Sequence, residues 1–281
     1  MAESFDHIPQ FARWISDFCA NSTNPFVRDS AEALRIFFAC DAAAPSSYKW
    51  VFSSDESFAR QLQERKDIKA KNALYWEDFA RNCEAYSVMT GWRAAELLRS
   101  SVRAINQKEL VSSAVLARSL LELSSSYLLN ANLIAKTLEG ISFSEGSIVT
   151  SHDLEKLIVK AIWGSRLDST PEHLKQRNCL TPIQKLTKNP DAKELLPTYE
   201  YLCELAHPNV LGNARFWSHM EEVSTLGAET RVITRFSESD AAAETIEKTV
   251  WSIAWSAAVV RNGIYILQPA IANLMARVRS C

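Results

Sequence analysis

Between Lys108 and Leu138 the chain carries two apolar stripes at helical spacing. One is Leu116, Leu120, Leu123, Tyr127, Ile134 and Leu138; the other is Val111, Val115, Leu121, Leu128 and Leu129. A helix apolar on two faces cannot rest on one surface and has to be surrounded by other helices. The segment therefore predicts the centre of an all-α, multi-helix bundle. Glycine usage agrees: only 7 of 281 residues are glycine, far below the usual rate of about 7%. Tight turns are then scarce, and long helices joined by short loops are favoured. A hydrophobic share of 47% is ample for a core at this length.

The remaining elements follow from spacing and punctuation. Phe5, Ile8, Phe11, Ile15 and Phe18 predict an amphipathic helix over 5–20, and Asn24-Pro25 opens a second. Ser54-Asp55 caps a charged helix that runs to Lys71, and periodicity continues from Asn72 to Ile105. Ser151-His-Asp starts a helix that reaches Trp163. Four turn signals crowd residues 165–190 before a helix over Asp191–His207. The β-branched alternation of Thr230–Phe236 predicts a small β-hairpin within 214–237. Ser239-Asp240 then caps a terminal helix, Ala241–Arg279, kinked at Pro269. The reading divides the chain into an N-terminal helical region, 1–105, and a bundle, 106–281, or makes it one continuous domain.

Several function classes drop out. A net charge of -2 argues against clamping a long duplex, though a small basic patch for a single strand is compatible with it. The six cysteines show no close pair and no metal-ligand spacing, which fits reduced, mostly buried thiols in a cytoplasmic protein. No basic segment followed by an apolar run marks the N-terminus as a secretory signal. The apolar stretch Val250–Leu267 is interrupted by Arg261-Asn-Gly263. It falls short of the roughly 20 residues a membrane span needs, so it reads as a buried core helix. Gly-rich phosphate loops, Gly-x-Ser-x-Gly elbows and His-Glu-x-x-His motifs are all missing. No cofactor and no metal are expected. The eight tryptophans fall at helical spacing and read as core.

What stands out chemically is a polar constellation in apolar surroundings. Arg118 and Glu122, at i,i+4, share the central helix face that also carries Val111, Val115, Ser125 and Leu129. That places them toward neighbouring helices. They are either a structural ion pair or an anion site in which the planar fork of Arg118 holds a phosphate. If the pair is sealed, losing Arg118 strands Glu122 at about 3–5 kcal/mol. His207 ends a helix that Pro208 cannot continue. There it is either a plain C-cap or, with the helix dipole favouring imidazolium, an acid/base or phosphate contact. Tyr201, Asn209 and Arg215 stand nearby as binding candidates. Arg215 and His219 would be neighbours on a helix but about 13 Å apart on the expected strand.

The run Ala117-Arg118-Ser-Leu-Leu-Glu122 on a long helix, followed by Tyr201-Leu-Cys-Glu-Leu-Ala-His207-Pro208-Asn209, resembles the HEPN-type helical bundles. It is most similar to uncharacterised bacterial members with an Arg-x-x-x-Glu helix and a later His-Pro. The resemblance covers roughly residues 105–265. It implies a metal-independent ribonuclease of prokaryotic defence or toxin–antitoxin systems, acting as a dimer with sites at the interface. In that reading Arg118 holds a phosphate, His207 is the general acid/base and Glu122 orients Arg118. The ligand would be RNA or a nucleotide, the protein partner antitoxin-like, and no membrane is involved. The family's usual signature is an arginine, a polar residue, then a histidine four to six positions on. Arg215…His219 is too short for it, and Arg177-Asn178 lacks the histidine. Trp251, Ile253, Trp255, Val259, Ile264, Ile266 and Leu267 surround the terminal helix and point to a homodimer. The alternative is a non-catalytic helical module that binds a protein partner or nucleotide. Whether Arg118 and His207 meet in one open cleft separates the two readings.

Overall fold

The computed structural model describes residues 8–40, 45–52, 54–143, 146–176, 178, 180–208, 212, 218–226, 229–236 and 243–280. The helices are α1 (Arg13–Ala20), α2 (Pro25–Arg28), α3 (Ser30–Phe38), α4 (Asp55–Glu64) and α5 (Ile68–Asn106). They continue with α6 (Leu110–Glu139), α7 (His152–Trp163), α8 (Leu180–Leu186), α9 (Leu195–Ala206) and α10 (Ala243–Ser280). Single 3₁₀ turns stand at Glu172–Leu174 and Pro190–Ala192. Strands β1 (Ser218–Leu226) and β2 (Glu229–Phe236) form the expected antiparallel hairpin, with Ser218 opposite Phe236 and Leu226 opposite Glu229. The fold is an all-α bundle with that one appendage.

Helix boundaries follow local chemistry. Asn24 accepts the Phe26 amide at 3.1 Å with Pro25 in the first turn, and Ser54 accepts the Ser57 amide at 3.3 Å. The charged helix does not run through to Lys71. Asp67 accepts the amides of Lys69 and Ala70 at 3.3 and 3.1 Å, so it acts as a fresh cap and α5 starts anew. The first helix is shorter than its periodicity suggests. Asn106 accepts the Ala12 amide at 2.7 Å and donates to the Gln10 carbonyl at 2.8 Å, which holds 10–12 outside the helix. Between α5 and α6, Lys108 adopts a left-handed φ of 60°. With the Glu109 amide bonded to the Ala104 carbonyl at 2.9 Å, this ends α5 and reverses the chain where a glycine is usual. The expected Ser239-Asp240 cap lies outside the described residues; α10 itself runs through Pro269.

Helices α6 and α10 pack against one another and against α5, and they pass through two buried clusters. In one, Leu120, Tyr127, Ile134 and Leu138 of α6 meet α3, α5, α7 and the C-terminal part of α10. In the other, Ala114, Ala117 and Leu121 meet α1, α2, α8, α9 and the N-terminal part of α10. Both clusters draw residues from either side of position 105. The second apolar stripe of α6 is only partly inside: Leu121 is buried, while Val111 and Val115 are 38% and 40% exposed. Alanines 114 and 117 occupy the inward face there, and the two valines project past its edge. Much of the apolar circumference of α10 is covered within the chain. Trp251, Ile253, Trp255, Val259, Ile264 and Leu267 are buried against α6, α5, α3, α9 and α2, while Ile266 is half-buried and Tyr265 is 52% exposed. By length and composition α10 could cross a membrane, but 72% of its most apolar window is buried inside the fold.

Tryptophan usage is mixed. Trp76, Trp251 and Trp255 are core residues, whereas Trp163 is 41% exposed and clusters with Trp50 and Phe52, centroids 4.7–6.1 Å apart. Trp163 is the last residue of α7, beyond the turns that pack on α5. Of the cysteines, Cys19 and Cys83 are buried, Cys40 and Cys203 half-buried, and none of the four is bridged.

One contact between α6 and α10 makes a sharp demand. A Cβ on Gly263 of α10 would stand 2.6 Å from Cε1 of Tyr127, which is 1% exposed and donates to Ser87 Oγ at 2.9 Å. Gly263→Ala is therefore expected to lower stability by about 1–3 kcal/mol in urea unfolding, despite alanine's better helix propensity. An equal or higher unfolding midpoint would show that the seam has slack.

Candidate functional site

Residue Arg118 sits in the middle of the N-terminal half of α6, where α9 crosses. Its Nε donates to Glu122 Oε1 at 3.2 Å, and the side chains are 32% and 28% exposed. The same carboxylate oxygen accepts the Tyr199 hydroxyl of α9 at 2.9 Å. The guanidinium carbon lies 5.8 Å from the centre of the Tyr199 ring. Burial works against the charge of Arg118, but Cys203, Glu122 and Tyr199 outweigh it and hold its pKa above the ordinary arginine value. The cluster is thus a half-open seam between α6 and α9, not a sealed core pair.

The helices explain why these residues meet. Arg118 and Glu122 are one turn apart on α6. Tyr199 and Cys203 are one turn apart on α9, whose Leu195, Thr198, Leu202 and Leu205 are buried and anchor it against the bundle. Tyr201, the tyrosine expected at the site, is two residues from Tyr199 and therefore on another side of the helix. Its hydroxyl shares a 2.8 Å hydrogen bond with Thr245 of α10. The tyrosine that touches Arg118 and Glu122 is Tyr199. The i,i+4 relation of Tyr199 and Cys203 was visible in the sequence, but nothing in it said which side of α9 faces α6.

His207 ends α9 in an extended conformation (φ -86°, ψ 131°), its amide bonded to the Glu204 carbonyl at 3.2 Å. Its side chain is exposed, and among the described residues no hydrogen bond or ion pair holds the ring. Along the helix, the eight residue steps from Tyr199 to His207 correspond to roughly 12 Å. The structure brings together Arg118, Glu122, Tyr199 and Cys203, and it leaves His207 at the end of the same helix. Asn209, Asn213 and Arg215 lie outside the described residues. His219 is in β1, with its backbone opposite Arg235. Asn178 accepts the Leu180 amide at 3.1 Å and starts α8. His152 is the first residue of α7 and pairs with Glu155 at 3.4 Å.

Glu122 gathers two donors on one oxygen and so fixes Arg118 and Tyr199 relative to each other. Of the five N–H donors of a guanidinium, Nε goes to Glu122. Tyr199 takes a further one, and an anion approaching from the exposed side can use those that remain. Partial exposure also sets the energetics. Arg118→Ala is expected to cost about 1 kcal/mol, not the 3–5 kcal/mol of a sealed pair. Tyr199→Phe is expected to cost about 0.5–1.5 kcal/mol, with the two effects coupled in a double-mutant cycle. Urea unfolding of the three variants measures this, and a loss above 3 kcal/mol for Arg118→Ala would mean a structural lock.

Comparison of the chain with protein-family models, with curated proteins and with solved structures finds no match. The likeness to HEPN bundles rests on the sequence pattern around Arg118, Glu122 and His207.

Proposed function

We propose that this chain is a non-catalytic helical binding module whose Arg118 receives a phosphate of a nucleotide or of RNA. The observation that carries the reading is the state of Arg118: a permanent cation, oriented through Nε by Glu122 and flanked by the Tyr199 ring, yet 32% exposed. A pre-oriented, partly dehydrated fork is suited to bidentate recognition of an anion. A binding role asks for no proton-transfer group beside the arginine; Glu122 and Tyr199 hold it in place, with Cys203 beside them.

The ribonuclease reading, with its defence or toxin role, comes second. In its favour is the exposure of His207 at the end of α9, the helix that carries Tyr199. It requires an RNA strand to span from Arg118 to that histidine.

Fluorescence anisotropy with a labelled single-stranded RNA and with a fluorescent nucleotide, at low salt, separates the readings. The module reading expects saturable binding that Arg118→Gln weakens roughly tenfold or more, the scale of a lost charge-assisted pair. Tyr199→Phe weakens it less, His207→Ala leaves it unchanged, and the RNA stays intact on a gel. Cleavage that His207→Ala abolishes would replace this reading with the nuclease. Absence of saturable binding to either probe would remove the phosphate and leave a protein partner's carboxylate as the anion to test.

A further inference from the structure

Trp163, the last residue of α7, is exposed although its spacing reads as core. Its indole lies 5.4 Å from that of Trp50 at an interplanar angle of 34°, so the two rings are offset and nearly parallel. Phe52 completes the group, 4.7 Å from Trp50 and 6.1 Å from Trp163 between ring centroids. The group is fixed from beneath by α5. Trp50 Nε1 donates to Asn82 Oδ1 at 3.2 Å, and the Tyr48 hydroxyl donates to the Arg81 carbonyl at 3.4 Å. Val51 and Phe52 are both more than half exposed. Single exposed apolar side chains are ordinary, but a contiguous and anchored group of them marks a surface made for contact.

Charge indicates what kind of contact. Lys156 and Lys160 precede Trp163 by seven and three residues on α7. The three therefore share one helix face, with the lysines about 6 Å apart along the axis. Lys49, next to Trp50, is exposed as well. Among the described residues none of these three lysines has an ion pair. The carboxylates of α7, Asp153 and Glu155, stand in its first turn, at the other end from Trp163, and Glu155 pairs with His152 at 3.4 Å. Unpaired cations in a row beside open aromatic faces are complementary to a strand of phosphates carrying bases. A lipid surface is matched less well. An interfacial anchor opposes an apolar face to a cationic one, whereas here the lysines and Trp163 share a face.

We propose that Trp163 and Phe52, with Lys156 and Lys160, form a platform for single-stranded RNA. A base stacks on the open face of Trp163, continuing the column that Trp50 begins, and the adjoining phosphates lie along the two lysines. The platform is carried by α7 and residues 48–52, none of which belongs to the seam between α6 and α9. It does not depend on the role of Arg118.

The test is made in the Arg118→Gln protein, so that binding at the seam does not mask it. A fluorescein-labelled oligouridylate is titrated by anisotropy over a series of salt concentrations. The expected result is saturable binding that Trp163→Ala weakens roughly tenfold, the scale of one base–aromatic stack. Trp163→Phe, which keeps a ring, retains most of the affinity. The Lys156→Gln/Lys160→Gln pair weakens binding and lowers the slope of log affinity against log salt by about 1.4, the value for two phosphate contacts on a single strand. Three results would each overturn the proposal: no saturable binding in the Arg118→Gln protein, equal losses in Trp163→Ala and Trp163→Phe, or an unchanged salt slope in the lysine pair. Sedimentation with phosphatidylglycerol vesicles, without binding of the oligouridylate, would assign the face to lipid instead. Should Trp163→Ala fail to fold, Trp163→Phe and the lysine pair decide alone.

Discussion

Helices of 30 and 38 residues, as α6 and α10 are, can lie against each other over their length only where their side chains let the backbones approach. The contact surface between them is built for that. Ser124 and Ser256 hydrogen-bond across it at 3.1 Å in a fully buried setting, Ala257 is completely buried, and Gly263 receives the ring of Tyr127. Small residues allow close dispersion contact at low rotamer cost. The serines satisfy their own hydroxyls, as Ser124 does on the Leu120 carbonyl at 2.7 Å. Most of the other described helices are arranged around this pair. α5 and α3 close one cluster, and α1, α2, α8 and α9 close the other.

The ends of the long helices are fastened by polar side chains reaching between elements. Asn72 of α5 donates to the Ser147 carbonyl at 3.0 Å and accepts the Val149 amide at 2.9 Å, pinning the approach to α7. Asn106 does the same for residues 10–12. Arg277 of α10 donates to the carbonyls of Leu138 and Ile141, both at 2.6 Å, at the C-terminal end of α6. It answers carbonyls at the helix end and the negative dipole end together. With both ends held, α6 presents Arg118 at a fixed height against α9. This is what allows Glu122 and Tyr199 to orient it.

The candidate site shows how far a one-dimensional reading carries. Arg118 and Glu122 are four residues apart on one helix, so their contact follows from helical geometry and was legible. Tyr199 is 77 residues from Glu122, and no local rule links them. Choosing between Tyr199 and Tyr201 needs the rotation of α9 about its own axis, set by Leu195, Leu202 and Leu205 entering the core. The pair faces a neighbouring helix as its spacing implied, but its degree of exposure was not legible, for a similar reason. Val111 and Val115 read as a buried stripe, but the narrower surface made by Ala114 and Ala117 is what packs, and it leaves Arg118 at the rim.

Helical class, the central position of residues 110–139, the hairpin after residue 214 and the caps at Asn24 and Ser54 follow from the order of residues. Each depends on periodicity or on bonds between near neighbours. Tertiary structure decided the rest. It covered much of the apolar circumference of α10 from within the chain, restarted a helix at Asp67, set Tyr201 on Thr245 and Tyr199 on Glu122, and left the His207 side chain exposed at the end of α9. These outcomes depend on how helices rotate and approach once their largest side chains compete for the same interior, and spacing along a single chain carries no term for that competition.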